Sequence, residues 1–114
     1  MQELTLKEIE IMYDMIDKFG EKQMIIAVEE LSELQKEICK KLRDPYSIDN
    51  KNILEEIADV YIMLTQITIF YQLKANDITA IMKEKLERTK RLYLNNSNSS
   101  KDKEQLKKWV EVIL

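Results

Sequence analysis

Apolar residues recur along this chain at the three-and-four spacing of amphipathic helices. Ile9, Met12, Tyr13 and Ile16 form the first stripe. Thr5 and Glu8 have the spacing of a capping box and Gly20 supplies a stop, so a helix is predicted over residues 6–19. A second is predicted over 21–42, with Ala27, Leu31, Leu34 and Ile38 in one stripe and Glu30, Glu33 and Glu37 stacked along its flank. Asp44-Pro45 then breaks the pattern, and residues 43–50 read as a loop. Asp49 or Asn50 can cap a third helix that runs to about Leu73.

From Val60 to Tyr71 the third helix is apolar almost all round, broken only by Thr65, Gln66 and Thr68. A helix without a polar face must be buried on several sides, here against its own subunit and another copy. Charges at Asp59 and Lys74 bound the run, which is short of the ~20 residues of a membrane span. Asn76 or Asp77 would cap a fourth helix over 78–94, with Ile78, Ile81, Met82, Lys85 and Leu92 along or beside one face. Residues 95–100 are a polar, low-complexity linker. Residues 101–114 form a short amphipathic helix through Leu106, Trp109, Val110 and Ile113. Isolated helices of that length are marginal, so it is expected to dock on the main body or a neighbouring subunit. The expected layout is a helical domain over 1–94, the linker 95–100 and the C-terminal helix 101–114. The expected fold is all-α: an antiparallel bundle of about four helices plus a short C-terminal helix, completed by oligomerisation.

Composition agrees with this pattern. A chain of 114 residues with one glycine and one proline suits a single domain of a few long helices. A net charge of −3 gives no electrostatic footprint for nucleic acid or an anionic membrane, and neither is expected as a partner. Cys39 stands alone, so no internal disulfide forms, and its place beside the apolar stripe reads as a small buried residue. Nothing at the N-terminus resembles a signal peptide, and a cytoplasmic protein is expected. Met12, Met15, Met24, Met63 and Met82 read as core filler. The absence of histidine excludes Ser-His and Cys-His nucleophile pairs, Cys/His zinc clusters and Glu-x-x-His di-iron sites. Any acid–base or metal chemistry must rest on other side chains, carboxylates foremost.

Two patterns supply them: Glu30-Leu31-Ser32-Glu33 and Glu56-Ile57-Ala58-Asp59. Carboxylates three apart share one helix face. A short loop makes the second and third helices an antiparallel hairpin. At ~1.5 Å per residue, Glu33 lies roughly 13 Å and Asp59 roughly 12 Å from the loop end, with Glu30 at roughly 18 Å and Glu56 at roughly 8 Å. The pairs therefore overlap in height and can form an oxygen-only cage suited to Mg²⁺ or Mn²⁺, although height does not fix rotation. With 21 acidic residues, such spacings also arise by chance on a solvated face. Against that, both pairs abut apolar stripes, and Asp59 precedes the most hydrophobic run, where an unpaired carboxylate is costly.

Val28-Glu29-Glu30-Leu31-Ser32-Glu33-Leu34 followed by Leu54-Glu55-Glu56-Ile57-Ala58-Asp59-Val60 resembles the MazG-like family of all-α nucleoside triphosphate pyrophosphohydrolases. The resemblance covers residues 5–94. It implies Glu30, Glu33, Glu56 and Asp59 as metal ligands, Mg²⁺ as cofactor, a homodimer or homotetramer, and cleavage of nucleoside triphosphates to monophosphate and pyrophosphate. Lys85-Leu86-Glu87-Arg88-Thr89-Lys90-Arg91 is similar to the family's basic segment, with Thr89 where an asparagine is expected. Lys85, Arg88 and Arg91 are candidates to hold phosphate oxygens, or form a solvated face balanced by Glu84 and Glu87. Either Glu33 or Glu56 could take the proton of the attacking water. Tyr61, Phe70 and Trp109 could stack on a base, but read better as core or interface. The competing expectation is a non-catalytic helical interaction or regulatory protein that retains the bundle.

Overall fold

The computed structural model describes residues 4–94 and the helix 103–113. The fold is all-α. Its helices are α1 (Leu6–Phe19), α2 (Glu21–Arg43), α3 (Lys51–Phe70), α4 (Ala75–Tyr93) and α5 (Lys103–Ile113). They fall into two compact units, one spanning Leu6–Leu73 and the other taking the chain from Lys74 onward with the N-terminal residues. The predicted linker 95–100 lies outside the described residues. Among the described residues no helix is long and apolar enough to cross a membrane.

In the first unit a single residue separates α1 from α2. Gly20 adopts φ 55° and ψ −127°, a conformation that side-chain-bearing residues avoid, while its N–H donates to Ile16 O at 2.8 Å. Helix α2 ends where Asp44 N donates to Lys40 O at 3.0 Å. The loop that follows is clasped by Lys41 Nζ, which donates to Ser47 O at 2.9 Å. Of the two cap candidates for α3, Asn50 holds the N-cap position without a side-chain cap bond, and Asp49 Oδ1 accepts from Lys51 N at 2.9 Å.

Helix α3 stops at Phe70, three residues before the position expected from the apolar run. Its C-terminus is a Schellman motif, with Leu73 N donating to Thr68 O (2.9 Å) and Gln72 N to Ile69 O (3.1 Å). Gln72 takes the left-handed φ of 55° that glycine usually fills. The stop is a backbone event without its usual residue signal.

The core of this unit is small: Met12, Ala27 and Met63 are buried, together with Gln23 and Gln66. Helices α2 and α3 pack along their length and α1 lies against both. The inward row of α2 is Gln23, Ala27, Glu30, Leu34, Glu37 and Lys41, all buried or half-buried. That corrects the expected stripe. Leu31 and Ile38 are exposed, and Glu30 and Glu37 lie on the inward row rather than on its flank. Cys39, expected to be buried, is exposed because it follows the inward row by two positions. On α3 the half-buried or buried row is Ile53, Glu56, Val60, Met63, Ile67 and Phe70. Leu54, Ile57, Tyr61 and Leu64, one position further round, are exposed.

In the second unit α4 begins at Ala75, earlier than expected, with the carbonyl of Lys74 accepting from Asp77 N (3.1 Å) and Ile78 N (3.3 Å). Asn76 and Asp77 lie inside its first turn instead of capping it. Ile81 and Met82 are exposed, so Met82 is not the core filler that was expected, and neither is the exposed Met15 of α1. Helix α5 presents Leu106, Trp109 and Val110 to solvent and carries an exposed Lys107–Glu104 pair at 3.7 Å.

Candidate metal centre

A buried hydrogen bond joins α2 to α3. Gln23 Nε2 donates to Gln66 Oε1 at 2.8 Å. One heptad further along α2 and one heptad back along α3 stand Glu30 and Asp59, whose carboxylates approach each other between the two helices. The helices are rotated so that both residues are half-buried. Carboxylate oxygens of Glu30, Glu56 and Asp59 lie within 4.8 Å of one another, each residue half-buried.

Electrostatics make this a costly cluster. Burial, then the charge of Asp59 and the hydrogen bond to it, push the Glu30 carboxyl above the usual carboxylate range, and the charges of Glu56 and Glu33 add to this. Glu56 is raised by burial first, then by Asp59, Glu33, Glu37 and Glu55. Glu56 Oε2 is shut off from solvent and has no hydrogen-bond partner among the described residues. A buried carboxylate oxygen without a donor is an unfavourable arrangement that a bound cation would relieve.

Donor chemistry and spacing both fit a hard divalent ion. Oxygen ligands of Mg²⁺ or Ca²⁺ stand at about 2.0–2.6 Å from the ion, which puts opposite ligands about 4–5 Å apart. Three carboxylate oxygens within 4.8 Å of one another meet that requirement. Of the four ligands expected from the sequence, the structure gathers Glu30, Glu56 and Asp59. Glu33 is exposed and outside the triad, although its charge reaches Glu30 and Glu56.

Sequence reasoning gave no role to Glu37 or Gln23. Both lie on the inward row of α2, and the seven-residue steps Gln23–Glu30–Glu37 and Asp59–Gln66 are the signal that finds them. Glu37 borders a concavity at the loop end of the hairpin with Lys40, Lys41, Asp44, Asp49 and Asn52. Its charges are largely satisfied locally: Lys40 pairs with Glu37 at 3.1 Å and Lys41 holds the loop carbonyl.

Lys85, Arg88 and Arg91 belong to α4, in the second unit, and line one side of that helix with Glu84 and Glu87. All are exposed. Thr89 donates its hydroxyl back to Lys85 O at 2.9 Å. Tyr61 and Trp109 are exposed and Phe70 is half-buried, its ring edge-on to Tyr71 at 4.9 Å.

These features define an all-α protein with a carboxylate triad between two antiparallel helices. Compared with protein-family models, with curated proteins and with solved structures, the chain shows no significant match to any.

Proposed function

We propose that the protein is a Mg²⁺-dependent nucleoside triphosphate pyrophosphohydrolase of the MazG-like kind, cleaving (d)NTP to (d)NMP and pyrophosphate in the cytoplasm and serving nucleotide-pool housecleaning. One observation carries the reading. The acidic patterns that resemble that family meet across a hairpin, with Glu56 Oε2 buried and unpartnered among them. A bound Mg²⁺ would neutralise phosphate charge and favour attack of water on phosphorus, with Mn²⁺ as a substitute. Glu30, Glu56 and Asp59 would hold it. Glu33 or Glu56 would accept the proton of the attacking water, the role histidine has in other hydrolases, and Glu33 is the one left free of the triad. Lys85, Arg88 and Arg91 are assigned to phosphate oxygens by the sequence resemblance alone.

A homo-oligomer belongs to the same proposal. Leu54, Ile57, Tyr61 and Leu64 follow the three-four-three spacing of a coiled-coil seam and are all exposed. The seam suits a second α3. It equally serves the second reading, a helical interaction protein without turnover.

Purified protein incubated with a panel of (d)NTPs and Mg²⁺ decides between them. Pyrophosphate should be released from at least one nucleotide, EDTA should stop the release, and Glu56→Gln should abolish it. Absence of pyrophosphate from every nucleotide, or full activity in Glu56→Gln, would overturn the hydrolase reading and leave the interaction protein.

A further inference from the structure

The α2–α3 hairpin is a ladder of polar rungs with a period of seven residues. On α2 the positions are Gln23, Glu30 and Glu37; on α3 they are Gln66, Asp59 and Asn52. Gln23 bonds Gln66, Glu30 and Asp59 bring carboxylate oxygens within 4.8 Å of each other, and Glu37 and Asn52 border the same concavity. The middle rung carries the acidic triad. Only the glutamine rung is more than nine-tenths buried on both sides, with 7% of Gln23 and 4% of Gln66 exposed.

These rungs pull in opposite directions. Glu30, Glu56 and Asp59 repel one another, and sliding α2 along α3 would relieve them. The apolar contacts offer limited resistance, because Met63 is flexible and Ala27 small, and either can meet a neighbouring turn as well as its present one. The two amides cannot. Sliding would separate them and leave each buried polar group facing an apolar surface, the costly outcome for any interior hydrogen bond. A buried polar pair fixes coiled-coil register by the same physics.

We infer that Gln23 and Gln66 are positioning residues: their buried hydrogen bond locks α2 and α3 in the register that holds Glu30, Glu56 and Asp59 together. The inference rests on the reading of the triad as a cation site.

The test uses the full chain with Cys39→Ser, spin-labelled at Lys22→Cys and Lys51→Cys near opposite ends of the hairpin. The native glutamine pair should give one narrow distance in the metal-free protein. In the metal-free Q23L/Q66L variant, which keeps the volume but removes both amides, the distance should broaden or shift by about 5 Å, one helical turn. Mn²⁺ affinity by calorimetry should fall about tenfold, the factor expected when only about a tenth of the metal-free hairpins keep the three carboxylates together. Should the leucine pair fail to fold, Q23M/Q66M carries the same test, with helicity by circular dichroism as its control. An unchanged narrow distance overturns the inference, as does a shifted distance with undiminished Mn²⁺ affinity. If the unsubstituted protein takes up no Mn²⁺, the cation reading fails by itself, and the distance still decides whether the glutamines set the register.

Discussion

Glu56 is placed in a setting that works against its own charge. One oxygen is closed to solvent and unpartnered, and acidic neighbours surround it. Removing the charge should therefore have opposite effects with and without metal. Metal-free Glu56→Gln should melt at a higher temperature than the parent, and should lose the rise in melting temperature that Mn²⁺ gives the parent. Acidity acts by the same route. Glu30 and Glu56 have folded-state pKa values raised above the ordinary 4.5, so the folded state holds protons that the unfolded chain has released. Their penalty is fully present above the raised values and disappears as pH falls toward 4.5. In EDTA, stability measured by urea denaturation should rise as pH drops from neutrality into that window. The rise should be blunted in Glu30→Gln/Glu56→Gln. Mn²⁺ binding should weaken over the same range, because protons compete for its ligands. Gly20 offers a purely conformational test. Nothing lies within 4 Å of where a Cβ would sit, so Gly20→Ala meets no clash and only the strain of φ 55°. A loss of about 1–3 kcal/mol by urea denaturation is expected.

At the scale of the element, α3 explains most of what the sequence pattern conceals. Its apolar run predicts a helix buried on several sides, but Tyr61, Ile62 and Leu64 are exposed, and the residue types alone do not divide the inner row from the outer one. Met63 and Tyr61 both read as interior, yet Met63 is buried and Tyr61 exposed. Thr65 and Thr68 do not interrupt the run, because each turns its hydroxyl back to the carbonyl four residues earlier, at 3.2 and 2.8 Å. The helix ended early because Gln72 adopts a left-handed conformation for which side-chain chemistry gives little warning. On α2 the apolar spacing points inward through Leu31 and Ile38, while the inward row runs through Glu30 and Glu37. Periodicity found the helix but assumed that carboxylates stay outside, and a carboxylate cluster breaks that assumption. The seam on α3 carries its own prediction. Leu64→Lys places a charge within it, and light scattering after size exclusion should show the oligomer of the parent reduced to monomer, with helicity unchanged.

For the whole molecule, helix order and the antiparallel pairing of α2 with α3 could be read from length and loop position alone. The centre was legible by half. Heights along two helices said that the acidic pairs could meet, but not the rotation that brings Glu30, Glu56 and Asp59 together. Glu33 stayed outside because the inward row of α2 passes from Glu30 to Leu34 and leaves Glu33 one position off it, whereas on α3 the same three-residue step keeps Glu56 and Asp59 both half-buried. The polar ladder also bears on how such a chain can change with time. Between Gln23 and Glu37, or between Asn52 and Gln66, one inserted or deleted residue would rotate everything beyond it by about 100° and dismantle the triad. The loop between Asp44 and Asn50 is under no such constraint. In lineages that keep this chemistry, drift in length should gather at that turn, while the two heptads on either side keep their count even as their residues are exchanged.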